Sequence, residues 1–582
     1  MTPTLIFLII ALPWAGAILV WWTGDARPRL RNTLAILFSL LAGTANLLLI
    51  PTARSGTALV LPVGGVFGDF TFAADGLGVF LSAIATVIGC FAIIFSMDYM
   101  RGEAQLSRYY AFVLFFIGAM AGLGLTTNLL LMFVFWEITA LCSYALIAFN
   151  NDDPKAVYGG IKALIMTQLG GIGLLAGALL IYSTLGSYDI NLFIEKAGTL
   201  PANVLAIAAF GFLIAAAAKS AQFPFQTWLP DAMEAPTPIS ALIHAATMVN
   251  AGVYLLARFY PAFESVPGWK TAVIAVGMIT AFLAGVMALV SNDLKRVLAY
   301  STVSQLGYMV YAIGAGGVFA SQFHLFSHSV FKALLFLAAG AVIHSIGTRD
   351  MRQMGGLGKQ MPLTRTVFVI GALALAGIPI LNGFWSKELI LEAGLAHGPI
   401  WAYVIMLFTA GLTALYTFRC VWMVFYAPAQ RKHHGHDAGN AMKVALIPLA
   451  IGAVTSWLLV GPFSHLLGSS LPLHDIEAAT SMEFVLEVIT APATLIALVV
   501  VALGLAAWWQ RKLLSGLARS LQGIGKAAAD SFGFEAINRA IVNTVQSGAE
   551  ALRITQTGLL NWNVFGILAG LIIVLVILAV GA

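Results

Sequence analysis

Apolar stretches of about 20 residues recur along this 582-residue chain, and they limit its fold more than any other feature. Each stretch is long enough to cross a hydrocarbon layer of about 30 Å as an α-helix. Hydrophobic residues form 60% of the chain and charged residues only 9%, which is unlike a globular domain. The sequence therefore predicts an all-α membrane protein. Its first stretch, Leu5–Trp22, lacks a charged n-region and a cleavage site, so we interpret it as a span and not a signal peptide.

Loops rich in Gly, Pro and charge separate about sixteen predicted spans. The spans centre near residues 13, 40, 88, 118, 138, 172, 210, 249, 280, 306, 334, 374, 413, 452, 499 and 572. Loops after odd-numbered spans carry fifteen Lys and Arg residues, and loops after even-numbered spans carry four: Arg54, Lys196, Arg258 and Lys270. The positive-inside rule then places both termini on the outer, periplasmic side of a bacterial inner membrane. The net charge of +5 reflects this topology, and no nucleic-acid partner is expected.

Residues 511–560 differ from the spans before them. Apolar residues there recur at steps of three and four, which is typical of an amphipathic helix lying on a membrane surface. We expect a short lateral segment, broken near Gly533 into two pieces, before a last span over 561–582.

Ionisable groups at membrane depth cost at least a few kcal/mol, so each one is a functional hypothesis. Glu137 lies in the middle of LLLMFVFWEITALCSYALIAF and cannot reach either surface. A structural carboxylate, hydrogen-bonded to a neighbouring helix, is the alternative to a titrating one.

Two lysines lie beside helix breaks. Lys219 precedes Pro224, and Lys387 follows Pro379. A broken helix in a membrane leaves backbone carbonyls to line a wet cavity, where a lysine can lose its proton. A snorkelling anchor and an interfacial ion pair are the respective alternatives. Glu388 directly follows Lys387, but adjacent helix positions diverge by about 100°, so these two need not pair.

Three further titratable residues share one helix stripe. His324, His328 and Lys332 stand at i, i+4 and i+8, roughly 6 Å apart along the axis. Histidine titrates near neutral pH, so this ladder suits a proton relay. His244 could connect the Lys219 cavity to the ladder, although simple packing is a close alternative.

The sequence predicts no cofactor and no metal. None of the three cysteines forms a CxxC pair, which disfavours iron–sulfur ligation. Haem held by His324 and His328 is disfavoured because both lie on one helix, whereas bis-His haem normally takes ligands from two. The polar tract with His433, His434, His436 and Asp437 is expected to be a solvated connector.

Spans seven and twelve each carry a lysine beside a break, which predicts a five-helix repeat used twice and, because five is odd, inverted in the membrane. The predicted organisation is spans 1–3 over 1–100, repeats over 101–262 and 263–428, two spans over 429–510, the lateral segment over 511–560, and the last span over 561–582.

Four long motifs carry a family resemblance. They are AKSAQFPFQTWLPDAMEAPTPISALIHAATMVNAGVYLLAR, SNDLKRVLAYSTVSQLGYM, HLFSHSVFKALLFLAAGAVIH and GIPILNGFWSKELI. Across residues 70 to 425 the chain resembles the antiporter-like subunits of complex I and of Mrp antiporters, especially the L-type subunit of bacterial NADH–quinone oxidoreductase and the A-type Mrp subunit.

The resemblance implies a role for each matched position. Glu137 and Lys219 would form the Glu–Lys pair of a first half-channel, and His244 falls on the family's corresponding histidine. Lys332, with His324 and His328, would be the connecting element, and Lys387 the terminal lysine. It also implies transport of H⁺, or H⁺ and Na⁺ exchange, without a cofactor or catalytic chemistry of the subunit's own, since partner membrane subunits would do any redox chemistry.

Two departures leave the parent assembly open. The lateral segment is shorter and more glycine-broken than in the L-type subunit of complex I, and MTQLGGIGLLAG resembles Mrp more than complex I. Complex I, a hydrogenase-like relative and an Mrp antiporter all remain, beside a stand-alone transporter of a small cation.

Overall fold

Helices form almost the whole of the structure, a computed structural model that describes residues 2–53, 56–429, 435–471 and 473–553. Thirteen helical segments in these ranges are long and apolar enough to cross a membrane. The prediction of an all-α membrane protein is therefore confirmed. The predicted last span, His433 and His434 lie outside the described residues.

The N-terminal helices pack as neighbours along the chain, with α1 against α2 and α4, and α6 against α8. Helix α3 begins where the Asp75 carboxylate accepts a hydrogen bond from the Gly78 N–H at 2.9 Å. The helices are α1 (Thr2–Thr23), α2 (Pro28–Leu49), α3 (Gly76–Tyr99), α4 (Leu106–Leu125), α5 (Leu129–Ile147), α6 (Pro154–Leu185), α7 (Ile190–Lys196) and α8 (Ala202–Lys219).

A small hairpin lies between α2 and α3, where the sequence predicted no strand. Strand β1 (Thr57–Leu61) pairs antiparallel with β2 (Phe70–Ala73). The Thr127 N–H, just before α5, donates to the Thr71 carbonyl at 2.9 Å. Two strands alone are marginal in water, so this tertiary contact, invisible in a local pattern, supports the hairpin.

The middle of the chain is a series of short helical pieces. After Lys219 come α9 (Trp228–Asp231), α10 (Thr237–Ile239), a π-helix (Ser240–Ala246), α11 (Asn250–Arg258) and α12 (Tyr260–Phe263). Regular helices then resume with α13 (Trp269–Val290), α14 (Leu294–Gly314), α15 (Val318–Ile346), α16 (Pro362–Ala376), α17 (Asn382–His397) and α18 (Ile400–Val421), which ends in a π-turn at Trp422–Tyr426.

The C-terminal part contains α19 (Asn440–Thr455), α20 (Val460–Ser470), α21 (Ser481–Thr490), α22 (Pro492–Trp509), α23 (Ser515–Ser520), α24 (Gln522–Ala529) and α25 (Phe534–Arg553). The predicted break at Gly533 is present, since Phe532 and Gly533 both have positive φ. The expected two pieces are three, however, because a further break separates α23 from α24. The described residues divide at this point into two compact units, one ending at Phe532 and the other beginning at Gly533.

One backbone arrangement occurs twice in the first unit. Asn128, at the start of α5, forms an antiparallel bridge with Asp189, and Asp293, at the start of α14, forms one with Asp350. Asn128 and Asp293 also cap their helices by accepting a backbone hydrogen bond. Each bridge ties the start of one long helix to the segment that follows the next long helix.

Candidate functional site

The three lysines singled out by the sequence are all buried. Lys219 and Lys332 are 0% exposed and Lys387 is 1% exposed, so none of them snorkels to the surface of the isolated chain. Glu388 is buried and Glu137 is half-buried. Long cationic side chains almost never become fully buried without a specific partner, so the partner of each ammonium group is informative.

Lys219 ends α8 and its ammonium binds the backbone of α5. Its Nζ donates to the Trp136 carbonyl at 2.7 Å and lies 4.8 Å from the centre of the Trp136 ring. Glu137 is the next residue, but no direct ion pair joins it to Lys219 in the described structure. The two charges are electrostatic neighbours separated by a peptide group, and they attract each other strongly where water is scarce.

The Glu137 carboxylate lies against Gly171 of α6, a position that has no side chain. A Cβ at Gly171 would lie only 2.4 Å from Glu137 Oε1, so the absence of a side chain at this position makes room for the carboxylate. The side chain of Gln168, one turn earlier, lies next to the carboxylate, and neither carboxylate oxygen has a hydrogen bond of normal geometry among the described residues. Buried acceptors of this kind are normally satisfied by ordered water.

His244 lies in the π-helix between α10 and α11. Just after this π-helix, the Thr247 hydroxyl donates to the Leu242 carbonyl at 2.6 Å and so satisfies a carbonyl of the wide turn. The His244 ring is 6.1 Å from the Trp228 ring, and neither of its nitrogens has a partner among the described residues. π-Helical turns are frequent at functional sites, and no local pattern in the sequence predicts this one.

His324 is a junction between three helices. Its Nδ1 is 2.9 Å from Ser386 Oγ on α17, and its Nε2 is 3.0 Å from Gln305 Oε1 on α14. The His328 ring lies 6.2 Å from the His324 ring and against the backbone of Ala245, next to His244. The predicted histidine ladder is thus continuous with the π-helix on one side and with α17 on the other.

Lys332, the third member of the ladder, turns toward α14. Its Nζ donates to the Leu298 carbonyl at 3.2 Å and forms a short hydrogen bond with the Ser301 hydroxyl. A narrow cavity beside these groups is lined by Leu298 and Ser301 and also by Leu375 of α16. Leu298 accepts a hydrogen bond from Lys332 and Leu375 accepts one from Lys387, so the cavity is bordered by an acceptor residue of each lysine.

Lys387 binds the end of its own broken helix. Its Nζ donates to the Leu375 carbonyl at 2.9 Å. In an intact helix the N–H of residue 379 would occupy that carbonyl, but Pro379 has no N–H, so the break exposes an acceptor for the lysine. Glu388 points elsewhere, toward Thr494 of α22, as the divergence of adjacent helix positions predicted.

A second charged cluster lies around α9 and was missed in the sequence. Lys162 of α6, 0% exposed, donates to Asp231 at 2.7 Å, and Arg296 binds the other oxygen of Asp231 at 3.0 Å. The signal that could have found it is the pair of acids in WLPDAMEAP, a segment bounded by prolines between apolar spans.

Arg349 completes this cluster from the loop after α15. It contacts Glu234 at 2.9 Å and Asp293 at 3.2 Å. Burial by itself would lower the pKa of the Arg349 guanidinium, but the hydrogen bond with Glu234 and the two carboxylate charges outweigh burial and raise it. Lys295 is also buried, and its Nζ donates to the Ala235 carbonyl at 2.6 Å. These residues hold the broken segment in place.

The polar tract after α18 has a structural contact in its described portion. Asp437 accepts hydrogen bonds from the Leu363 N–H at 2.8 Å and the Thr364 hydroxyl at 2.6 Å, at the start of α16. In the described ranges no group of three His, Cys, Asp or Glu side chains is arranged to hold a metal ion.

Helices of membrane length, two helix breaks beside buried lysines and a line of buried titratable groups define a polytopic ion-translocation subunit. The sequence family described as NADH:quinone oxidoreductase/Mrp antiporter, TM, matches residues 126–413, and the one described as NADH-Ubiquinone oxidoreductase (complex I), chain 5 N-terminus, matches residues 61–110. The chain is 36% identical to NADH-quinone oxidoreductase subunit L of Escherichia coli K12 over 554 residues, which cover 89% of each protein. It therefore belongs to the family of antiporter-like membrane subunits of NADH:quinone oxidoreductases and Mrp antiporters.

Two further similarities extend this assignment. The chain is 40% identical to NAD(P)H-quinone oxidoreductase chain 5 of Picosynechococcus sp. over 440 residues, 68% of this chain and 66% of that relative, so it spans about two thirds of the relative's length. The solved structure of the Mrp complex from Dietzia sp. DQ12-45-1b superposes with a TM-score of 0.81 at 27% identity, over 99% of this chain and 63% of the matched chain.

Proposed function

We propose that this chain is the proton-translocating, antiporter-like subunit of a complex-I-type NADH–quinone oxidoreductase. Protons would pass from Glu137 and Lys219 through the histidine ladder to Lys332, Lys387 and Glu388, driven by redox chemistry in partner membrane subunits. The supporting observation is that Lys219, Lys332 and Lys387 are fully buried and that each binds neutral acceptors in place of a carboxylate.

Neutral acceptors make the lysine charge adjustable. A buried lysine in direct contact with a carboxylate is held in its charged form, whereas one bound to a carbonyl responds to charges nearby. Two unit charges about 4 Å apart interact by about 4 kcal/mol at an effective dielectric of about 20, which changes a protonation ratio by about a thousandfold. A modest movement of Glu137 relative to Lys219 would therefore be enough to release a proton.

The route between the lysines combines side chains and water. His244 and His328 have unpartnered ring nitrogens within the described structure, so water molecules are required to connect them. His324 bridges Gln305 and Ser386, and Ser386 directly precedes Lys387. Protons would thereby cross from the π-helix to the second broken helix. The distribution of positive charge among the loops supports a topology with both termini on the outer side.

The test is proton uptake by inverted membrane vesicles that contain the intact complex. Glu137→Gln and Lys219→Ala should each abolish substrate-driven proton uptake, because each removes a titrating group of the first half. Glu103→Gln, at an exposed loop position, is the matched control and should translocate normally. Wild-type translocation in the Glu137 and Lys219 variants would refute the scheme.

An Mrp-type Na⁺/H⁺ antiporter subunit is the second candidate, supported by the likeness to the Mrp complex over 99% of this chain. Native mass spectrometry of the purified membrane complex separates the two proposals. Redox subunits bound to the chain support the complex-I-type function, and a hydrogenase-like assembly would be recognised by its own redox subunits. Their absence, together with Na⁺-dependent proton movement, supports the antiporter.

A further inference from the structure

Helix α17 carries a second carboxylate one turn beyond Glu388. Glu388 and Glu392 stand at i and i+4, so they share a helix face at a separation of about 6 Å along the axis. The Oε2 atom of each is buried and has no hydrogen-bond partner among the described residues. Glu388 as a whole is only 3% exposed. An unpartnered carboxylate oxygen at this depth needs water or a shared proton.

The neighbouring elements extend this line toward the surface. Helix α17 packs against α18, α21 and α22. Glu487 of α21 is exposed and lies close enough to Glu392 to act on it electrostatically, and the exposed Glu477 acts on Glu487 in the same way. Exposure thus increases stepwise from Glu388 through the half-buried Glu392 to Glu487.

A tyrosine borders the buried end of this line. The Tyr403 side chain of α18 is 3% exposed, its hydroxyl has no partner in the described part of the chain, and it lies within electrostatic range of Glu388. The described residues place no lysine or arginine in an ion pair with Glu388, Glu392 or Glu487. Adjacent carboxylates without cations destabilise a fold when all are ionised, so packing alone does not account for them.

We propose that Glu392 and Glu487 form the proton release route from Lys387 and Glu388 to the membrane surface. This inference rests on the proposed function and adds its final segment. The ammonium group of Lys387 gives one proton to the Glu388 carboxylate through water, and Glu388 passes it to Glu392. From there it moves to Glu487 and into bulk water. Each carboxylate gains one O–H bond and then loses it, so no other reactant is needed.

The direction agrees with the topology predicted from the sequence. Helix α17 ends at His397, in the loop after the twelfth predicted span, and Glu477 lies in the loop after the fourteenth. Both loops follow even-numbered predicted spans. Loops of this set carry few positive charges and are assigned to the outer side.

The experiment uses Glu392→Gln, Glu487→Gln and the double variant in the intact complex, with proton uptake measured in inverted vesicles. Each single variant should slow uptake severalfold and the double variant on the order of tenfold, because a positioned proton-transfer group contributes substantially to rate. Glu392→Asp should restore most of the rate, since it keeps the carboxylate. A merely structural side chain would not be rescued in this way.

Glu483→Gln is the matched control. Glu483 lies one turn before Glu487 on α21, is exposed, and forms a capping box with Thr480 that glutamine preserves. Its uptake should equal that of the wild type. If Glu392→Gln fails to assemble on native gels, Glu487→Gln, at the surface, carries the test.

Two results would overturn the release route: wild-type uptake in the double variant, or equal loss in Glu392→Asp and Glu392→Gln with normal assembly. Glu137→Gln in the same preparation separates the two proposals. If Glu137→Gln stops uptake while the double variant does not, only the release route is wrong. If both translocate normally, the proposed function is wrong as well.

Discussion

The two broken regions of the molecule hold their lysines differently. Lys219 reaches from α8 to a carbonyl of another helix, Trp136 of α5, beside the carboxylate of Glu137. Lys387 reaches back to Leu375, in the preceding half of its own broken helix, and the adjacent Glu388 faces away. The first lysine is therefore sensitive to relative movement of α5 and α8, whereas the second depends on the shape of a single break.

The long helix next to each break shows a related difference. Helix α6 ends at Gly186 and α15 at Gly347, both in the left-handed conformation. Counting back fifteen residues from these glycines gives Gly171 in α6 and Lys332 in α15. The position fifteen residues before the capping glycine thus leaves space for a carboxylate in α6 and supplies an ammonium group in α15. At this position α6 makes room for a negative charge, whereas α15 supplies a positive one.

The largest expected effect tests the second break. Gly383→Ala would place a Cβ only 1.9 Å from the Ala374 carbonyl oxygen, so α16 and α17 could not keep their close approach. Overpacking typically costs about 1–3 kcal/mol, and more against rigid backbone. We expect loss of the assembled complex on native gels.

Gly198→Ala is the control for this substitution, because its Cβ would meet nothing within 4 Å. Normal assembly of Gly383→Ala, matching Gly198→Ala, would show that the break tolerates a wider spacing between α16 and α17.

The next prediction concerns the first half alone. Gly171→Ala should displace the Glu137 carboxylate, because the new methyl group would lie 2.4 Å from Oε1. A cost of about 1–2 kcal/mol at this site corresponds to a loss of roughly tenfold in proton uptake by vesicles. Gly43→Ala, another helical glycine whose Cβ would lie 3.8 Å from its nearest neighbour, should have no such effect. Equal rates of proton uptake for the two variants would contradict the idea that Gly171 makes room for the Glu137 carboxylate.

The smallest expected effect tests whether the missing N–H of Pro379 leaves the Leu375 carbonyl available to Lys387. Pro379→Ala supplies the missing N–H, which would compete with Lys387 for the Leu375 carbonyl. Hydrogen bonds to charged groups contribute about 1.5–3 kcal/mol, and partial competition should slow uptake a few-fold. Pro448→Ala, which removes a proline inside α19, serves as the control. If both variants retain the wild-type rate, the break does not supply the acceptor in the working complex.

The sequence predicted the charged residues of this site better than their partners. Lys219, Lys387 and the histidine ladder are conspicuous because charge is rare in apolar runs. Lys162 was overlooked because its partner Asp231 lies 69 residues away, across a broken segment. Gly171 matters through the space beside it, which only the packing of α5 against α6 defines.

The same limit applies to secondary structure. Helix existence followed from apolar length, but the hairpin of β1 and β2 is supported by the distant Thr127, which donates to the Thr71 carbonyl. Local patterns carry no information about such contacts.

Main-chain oxygens hold the ammonium groups of Lys219 and Lys387. Every amino acid presents the same oxygen, so replacing Trp136 or Leu375 leaves the carbonyl in place, and an alanine scan would test only side-chain contacts such as the Trp136 ring, 4.8 Å from the Lys219 ammonium. Substitution of these side chains during evolution therefore leaves the carbonyl acceptor of each lysine in place. Replacing a single amide by an ester through unnatural-residue incorporation, which weakens the oxygen as an acceptor, is the kind of change that would expose its role.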